Sequence, residues 1–88
     1  MPYIKQEKRP LYKKEIDVLV KKLENQSLKE QDGDLNYIVT SIMKRLYKPR
    51  YFNYNRALGV LEAIKQEYYR RAVAPYEDEK IRANGDVP

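Results

Sequence analysis

The chain has no cysteine, no histidine and no tryptophan, and only three glycines among its 88 residues. Each absence removes a class of chemistry. Without cysteine there is no thiolate nucleophile and no disulfide to staple a small fold. Without histidine there is no Ser-His pair and no imidazole to hold zinc. Three isolated glycines cannot build a phosphate-cradling loop. No stretch approaches the roughly 18 continuous apolar residues that cross a bilayer, and Met1-Pro2-Tyr3-Ile4-Lys5 lacks the apolar core and small-residue cleavage site of a secretory leader. The sequence therefore reads as a cytoplasmic protein without a membrane partner, and the lack of cysteine agrees with a reducing compartment.

Paired carboxylates are also missing. Glu62 and Glu67 are five apart, a poor match to one helical face. Glu30, Asp32 and Asp34 around Gly33 lack the length and the terminal glutamate of a calcium loop. Glu79-Lys80 matches a nuclease signature in letters only, with no strand or upstream aspartate to support it. With no assembled constellation, the expectation is a protein that is not an enzyme, with no cofactor and no metal.

What is present is a helical rhythm. Tyr12, Ile16, Leu19, Val20 and Leu23 fall on one face of a helix that Pro10 suits as a first residue. Residues 25–33 read as a polar connection ending in Asp32-Gly33-Asp34, with Asp34 as the cap of a second helix. Leu35, Ile38, Val39, Ile42 and Leu46 give that helix its stripe, and Pro49 ends it. Residues 49–55 read as an ordered aromatic loop, with Asn53 or Asn55 capping a third helix. Its inward face is Leu58, Leu61, Ile64 and Tyr68 beside Val60, and Pro75 is expected to break or kink it after Ala74. Gly59 inside that helix suggests a close helix crossing. Residues 76–83 would form a short last helix closed by Asn84-Gly85.

The expected fold is all-α: one compact domain over residues 1–88, a bundle of three main helices plus a short C-terminal helix, with residues 1–9 as an extended arm and 84–88 as a tail. A chain this short buries only about 60% of its unfolded surface, so oligomerisation is the expected way to enlarge the core.

The charge is local. Lysines and arginines outnumber acids 18 to 13, yet residues 35–56 hold Lys44, Arg45, Lys48, Arg50 and Arg56 and no acid, a surplus equal to the whole net charge of +5. Tyr47, Tyr51, Phe52 and Tyr54 are interleaved with these cations. Tyrosine faces stack on flat rings while arginine pairs with phosphate, so Arg45, Tyr47, Lys48, Arg50, Tyr51, Tyr54 and Arg56 are candidate ligand-binding residues. The plainer reading packs the tyrosines on a short core and sets the cations against the dipole at a helix end. A second cluster, Tyr68-Tyr69-Arg70-Arg71, spreads its side chains about 100° apart. Tyr68 continues the apolar stripe, which leaves Tyr69, Arg70 and Arg71 as candidates, or as partners of the acidic Glu77-Asp78-Glu79.

Several segments together carry a resemblance. The Met1-Pro2-Tyr3-Ile4 start, the stretch from Gly33-Asp34-Leu35-Asn36 to Thr40, Gly59-Val60-Leu61-Glu62, Tyr69-Arg70-Arg71-Ala72-Val73-Ala74-Pro75-Tyr76-Glu77-Asp78 and Asn84-Gly85-Asp86 resemble a family of small uncharacterised proteins of bacteria, archaea and their phages. The resemblance spans nearly the whole chain and brings no known site residues with it. What it implies is context: a small stand-alone prokaryotic or phage protein. Small phage proteins often sequester or block a host component, and one class, the counter-defence sponges, traps nucleotide signals between the subunits of an oligomer. The likeness to that class lies in size and surface chemistry, not in a motif.

Three functions compete on these residues. The first is a homo-oligomer that binds a phosphate-bearing small ligand such as a nucleotide signal, with Arg45, Lys48, Arg50 and Arg56 on the phosphate, Tyr47, Tyr51 and Tyr54 on the ring, and Tyr69, Arg70 and Arg71 supplied by a neighbour. The second is a module that binds an acidic host or phage protein through the same surface. The third is a nucleic-acid-binding regulator, against which stand a modest pI of about 9.4 and an acidic C-terminal end.

Overall fold

The computed structural model describes residues 4–88. The expectation of an extended arm falls partly on residues 1–3, which lie outside the described residues. From Gln6 to Lys8 the chain is already coiled into a short 3-10 turn that leads into the first helix. The described chain is all-α, without a strand, in the order α1 (Pro10–Glu24), α2 (Leu28–Leu46), α3 (Tyr51–Tyr68), a π turn (Tyr69–Val73) and α4 (Ala74–Asn84). It divides into two units, the first ending at Arg50 and the second running from Tyr51 to Pro88.

In the first unit, α1 starts with Pro10 in its first turn, where the missing N–H is not needed. Three residues then connect it to α2, making a helical hairpin. α2 begins at Leu28, six residues ahead of the expected start at Asp34. Ser27 and Glu30 are the reason. The backbone N–H of Glu30 donates to Ser27 Oγ at 3.3 Å, and the Ser27 hydroxyl donates to Glu30 Oε1 at 3.0 Å. A serine followed three residues later by glutamate is the spacing of a capping box, and this pair closes the helix end. Asp32-Gly33-Asp34, read as a turn, lies inside the helix instead, because its turn chemistry competes with a cap already in place. Ser27→Ala is expected to lower stability by about 1 kcal/mol, measured by denaturant unfolding. An unchanged midpoint would mean that the cap does not set the start of α2.

Leu19 and Leu23 of α1 are half-buried, as are Ile38 and Val39 of α2. The rest of the stripes expected to be core stays open: Tyr12, Ile16, Val20, Leu35 and Ile42 are all exposed. The hairpin therefore holds its apolar residues partly shielded, not enclosed.

The second unit is a single unbroken run of 34 helical residues, so two sequence expectations are corrected. Tyr51 to Asn55 are helical and not a loop. Aromatic density marks a segment that wants contact and says nothing against a helix. The expected break at Pro75 is also absent, and residues 76–83 belong to the same run. Pro75 offers no N–H to the carbonyl four residues back, and its ring would crowd that carbonyl. The chain absorbs this by widening one turn: the N–H of Ala74 bonds to the carbonyl of Tyr69, five residues back. The closing Asn84-Gly85 behaves as expected. Gly85 takes φ 87°, a value that favours glycine, and its N–H bonds to the carbonyl of Ile81 at 2.8 Å.

Gly59 has open space where a side chain would point, so no close helix crossing explains it. Among the described residues only Ala57 is buried, at 9% exposure, with Leu61 half-buried beside it. The rest of the expected inward face is open: Leu58, Ile64 and Tyr68 are 65%, 55% and 68% exposed. A helix in water draws most of its stability from the face that it packs. Among its described residues the second unit is that one helical run and holds no second element of its own.

Candidate functional site

The candidate residues fall in both units, and each group stands on its own. In the first unit Lys44 and Arg45 lie in the last turn of α2, where a cation is favoured by the helix dipole. Tyr47 is half-buried at the C-terminal end of that helix, its N–H bonded to the Met43 carbonyl at 2.9 Å. Lys48 and Arg50 follow in the connection. Lys44, Arg45 and Arg50 make no hydrogen bond, ion pair or ring contact with the described residues. Their charge is left to solvent or to an anion.

In the second unit Tyr51 and Tyr54 are on the first turns of α3, 81% and 53% exposed. Arg56 donates from Nη1 to Asn53 Oδ1 at 3.3 Å, and its guanidinium sits 5.9 Å from the centre of the Phe52 ring, within cation–π range. The sequence offered Asn53 as a cap and Phe52 only as one aromatic among several. Their spacing of three and four residues from Arg56 was the signal, since those positions share a helical face.

The second cluster lies on the π turn. Tyr69 donates its hydroxyl to Glu77 Oε1 at 2.7 Å, and Arg71 donates from Nε to Glu67 Oε1 at 2.9 Å. Thus the acidic segment takes the tyrosine, while the arginine turns back along its own helix. Eight residues apart, Tyr69 and Glu77 would lie about 80° round an ordinary α-helix from each other. The wider turn between them brings them onto one side. Arg70 has no partner among the described residues.

Arg56 and Arg70 are 14 residues apart on one continuous helix, about 21 Å along its axis. Within the second unit the structure therefore does not bring the two clusters together, and a phosphate bound at one is out of reach of the other. A shallow groove of about 660 Å³ runs beside the start of α1, lined by Ile4, Arg9, Pro10, Tyr12 and Ile16 among others. It holds none of the candidate residues. Among the described residues no three carboxylates gather to hold a metal, and no helix is long and apolar enough to cross a membrane.

Hydrogen bonds and neighbouring charges bear on the titration of Glu62 and Tyr69. Glu62 is held low by the hydrogen bond from Gln66 and by Lys65, which approaches to 3.3 Å. The Tyr69 phenol is pushed up, first by its hydrogen bond to Glu77 and then by that carboxylate's charge. The neutral phenol is the favoured form, so the contact is intact at neutral pH and is lost as the pH rises through the raised Tyr69 value. In an alkaline absorbance titration, Tyr69→Phe should remove a late-ionising tyrosine, and Glu77→Gln should move that tyrosine back toward the ordinary range. An unaltered titration in both variants would show that the contact does not persist in solution.

A family model described as a domain of unknown function matches residues 1–87. No curated protein matches the chain, and no solved structure matches it.

Proposed function

The chain belongs to the DUF6899 family, a domain of unknown function, and from that premise we propose that it is a non-enzymatic binding protein, active as a homo-oligomer, that takes a phosphate-bearing small ligand such as a nucleotide signal. One observation carries the reading. Cations without a partner among the described residues, Arg45 and Arg50 in the first unit and Arg70 in the second, occur along the chain with the exposed Tyr51 and Tyr54. Exposed arginines favour phosphate bidentately, and open tyrosine faces favour a flat ring. Oligomerisation supports the same reading: a shallow surface becomes enclosed when subunits meet, and exclusion of water strengthens each charge contact. The setting in which such a protein acts is prokaryotic or phage, with sequestration of a defence signal in the cytoplasm as its role.

Equilibrium dialysis at low salt with ATP and cyclic di-AMP, using adenosine as the uncharged control, tests the reading. Both phosphate-bearing probes should be retained and adenosine should pass freely. Equal indifference to all three overturns it. Duplex DNA bound with a steep dependence on salt, in place of the nucleotides, would assign the basic residues to nucleic acid.

A further inference from the structure

The long helix of the second unit has to pass a proline, and a helix can do so in two ways. It can kink where the proline withholds its N–H and crowds the carbonyl four residues back, or it can take up one more residue in a widened turn. This chain takes the widened turn, closed by the bond from the Ala74 N–H to the Tyr69 carbonyl. The same Tyr69 sends its hydroxyl past the proline to Glu77 Oε1, at 2.7 Å. One residue thus supplies both the carbonyl that closes the turn and the side chain that spans it.

We propose that Tyr69 and Glu77 form a latch that holds the widened turn and so selects the continuous passage of Pro75 over the kink. Rotation ties the contact to the turn. On an ordinary α-helix, residues eight apart lie about 80° from each other. A widened turn takes up one more residue and sets back every later one by about 100°, which leaves Tyr69 and Glu77 within about 20° of each other. A kink swings the second half of the helix against the first and keeps no such alignment. The contact is made in one of the two states, and a contact made in one state stabilises that state.

Position and charge agree. Glu77 lies in the first turn of α4, two residues after Pro75, where the helix dipole favours a carboxylate. A hydrogen bond to an ionised acceptor is stronger than one between neutral groups. Two neighbouring contacts do not cross the proline: Arg71 donates back to Glu67, and the Lys80 ammonium lies 5.4 Å from the centre of the Tyr76 ring. Tyr69, a ligand candidate by sequence, is therefore a positioning residue that acts on α4 through the turn. The inference is independent of the ligand and of the oligomer proposed above, because both ends of the latch belong to one helix.

Two NMR readouts on the full chain test it. The scalar coupling across the hydrogen bond of the Ala74 N–H identifies the acceptor carbonyl, and amide exchange reports the protection of residues 76–84. Tyr69→Phe, which removes a single oxygen, should lose the coupling to the Tyr69-position carbonyl and the protection of residues 76–84, while residues 56–66 keep theirs. Pro75→Ala removes the need for the turn. Its Ala74 N–H should move to the Arg70 carbonyl, and Tyr69→Phe made on that background should leave residues 76–84 protected. An unchanged acceptor and unchanged exchange in Tyr69→Phe would overturn the latch. So would an equal loss of protection on the Pro75→Ala background, since the phenol would then support the helix with or without a widened turn. Should Tyr69→Phe unfold the second unit outright, Glu77→Ala, which removes the acceptor and keeps the phenol, is read against Pro75→Ala in the same way.

Discussion

Arg50→Ala and Arg56→Ala combined should abolish retention of a phosphate-bearing ligand while the subunit number stays as in the wild type. Both side chains sit in the acid-free stretch of residues 35–56, Arg50 without a partner among the described residues and Arg56 held over Phe52. A hydrogen bond to a charged group contributes about 1.5–3 kcal/mol. Loss of an arginine that holds the phosphate should therefore weaken binding by about 10-fold or more, and the double variant removes the contact whichever of the two supplies it. Neither arginine belongs to the apolar stripe of the second unit, so the oligomer has no reason to dissociate. Dialysis against ATP reads the first effect and solution mass reads the second. Unchanged retention in the double variant would remove these cations from the site.

Leu61→Asp with Ile64→Asp should turn the oligomer into a monomer and cost the second unit much of its helix. These residues lie at the middle of the apolar face of α3, the face that an oligomer would cover. Fully burying an aliphatic side chain of this size contributes about 1.5–3 kcal/mol. A carboxylate in the same layer adds a desolvation penalty. A helix deprived of its packed face falls back on its own propensity, which is weakened here by Gly59 and Pro75. Solution mass and far-ultraviolet circular dichroism should fall together. A variant that remains oligomeric and fully helical would mean that the stripe is not the contact.

How far the sequence reveals this fold depends on which physical signal each segment carries. The period of 3.6 in α1, α2 and α3 is a statement about faces, and faces survive into the structure. Punctuation is less secure. Asp32-Gly33-Asp34 has turn chemistry in isolation, yet the box formed by Ser27 and Glu30 starts α2 earlier and the helix runs over it. Pro75 has the chemistry of a break, yet one widened turn spares the helix. In both places a local preference, about 1 kcal/mol for a glycine and about 3 kcal/mol for a proline, yields to the continuity of a longer element.

The candidate site was legible in its composition and not in its arrangement. The acid-free run from Leu35 to Arg56 can be counted. Which carboxylate takes Tyr69 depends on the width of the turn ahead of Pro75, a property that no spacing rule for an ordinary helix contains. The same holds for the core. A periodic apolar face marks residues suited to burial, and in α3 only Ala57 is buried and Leu61 half-buried, while Leu58, Ile64 and Tyr68 are exposed. Burial is a relation between two surfaces, and a single sequence states only one of them.

Native mass spectrometry of the protein purified at low salt joins the two halves of the account, since subunit number and any retained small molecule are read in one spectrum. A defined oligomer carrying an adduct of nucleotide size, released by the Arg50→Ala/Arg56→Ala exchange, is the expected result. A bare monomer that acquires no nucleotide when ATP or cyclic di-AMP is added would contradict it.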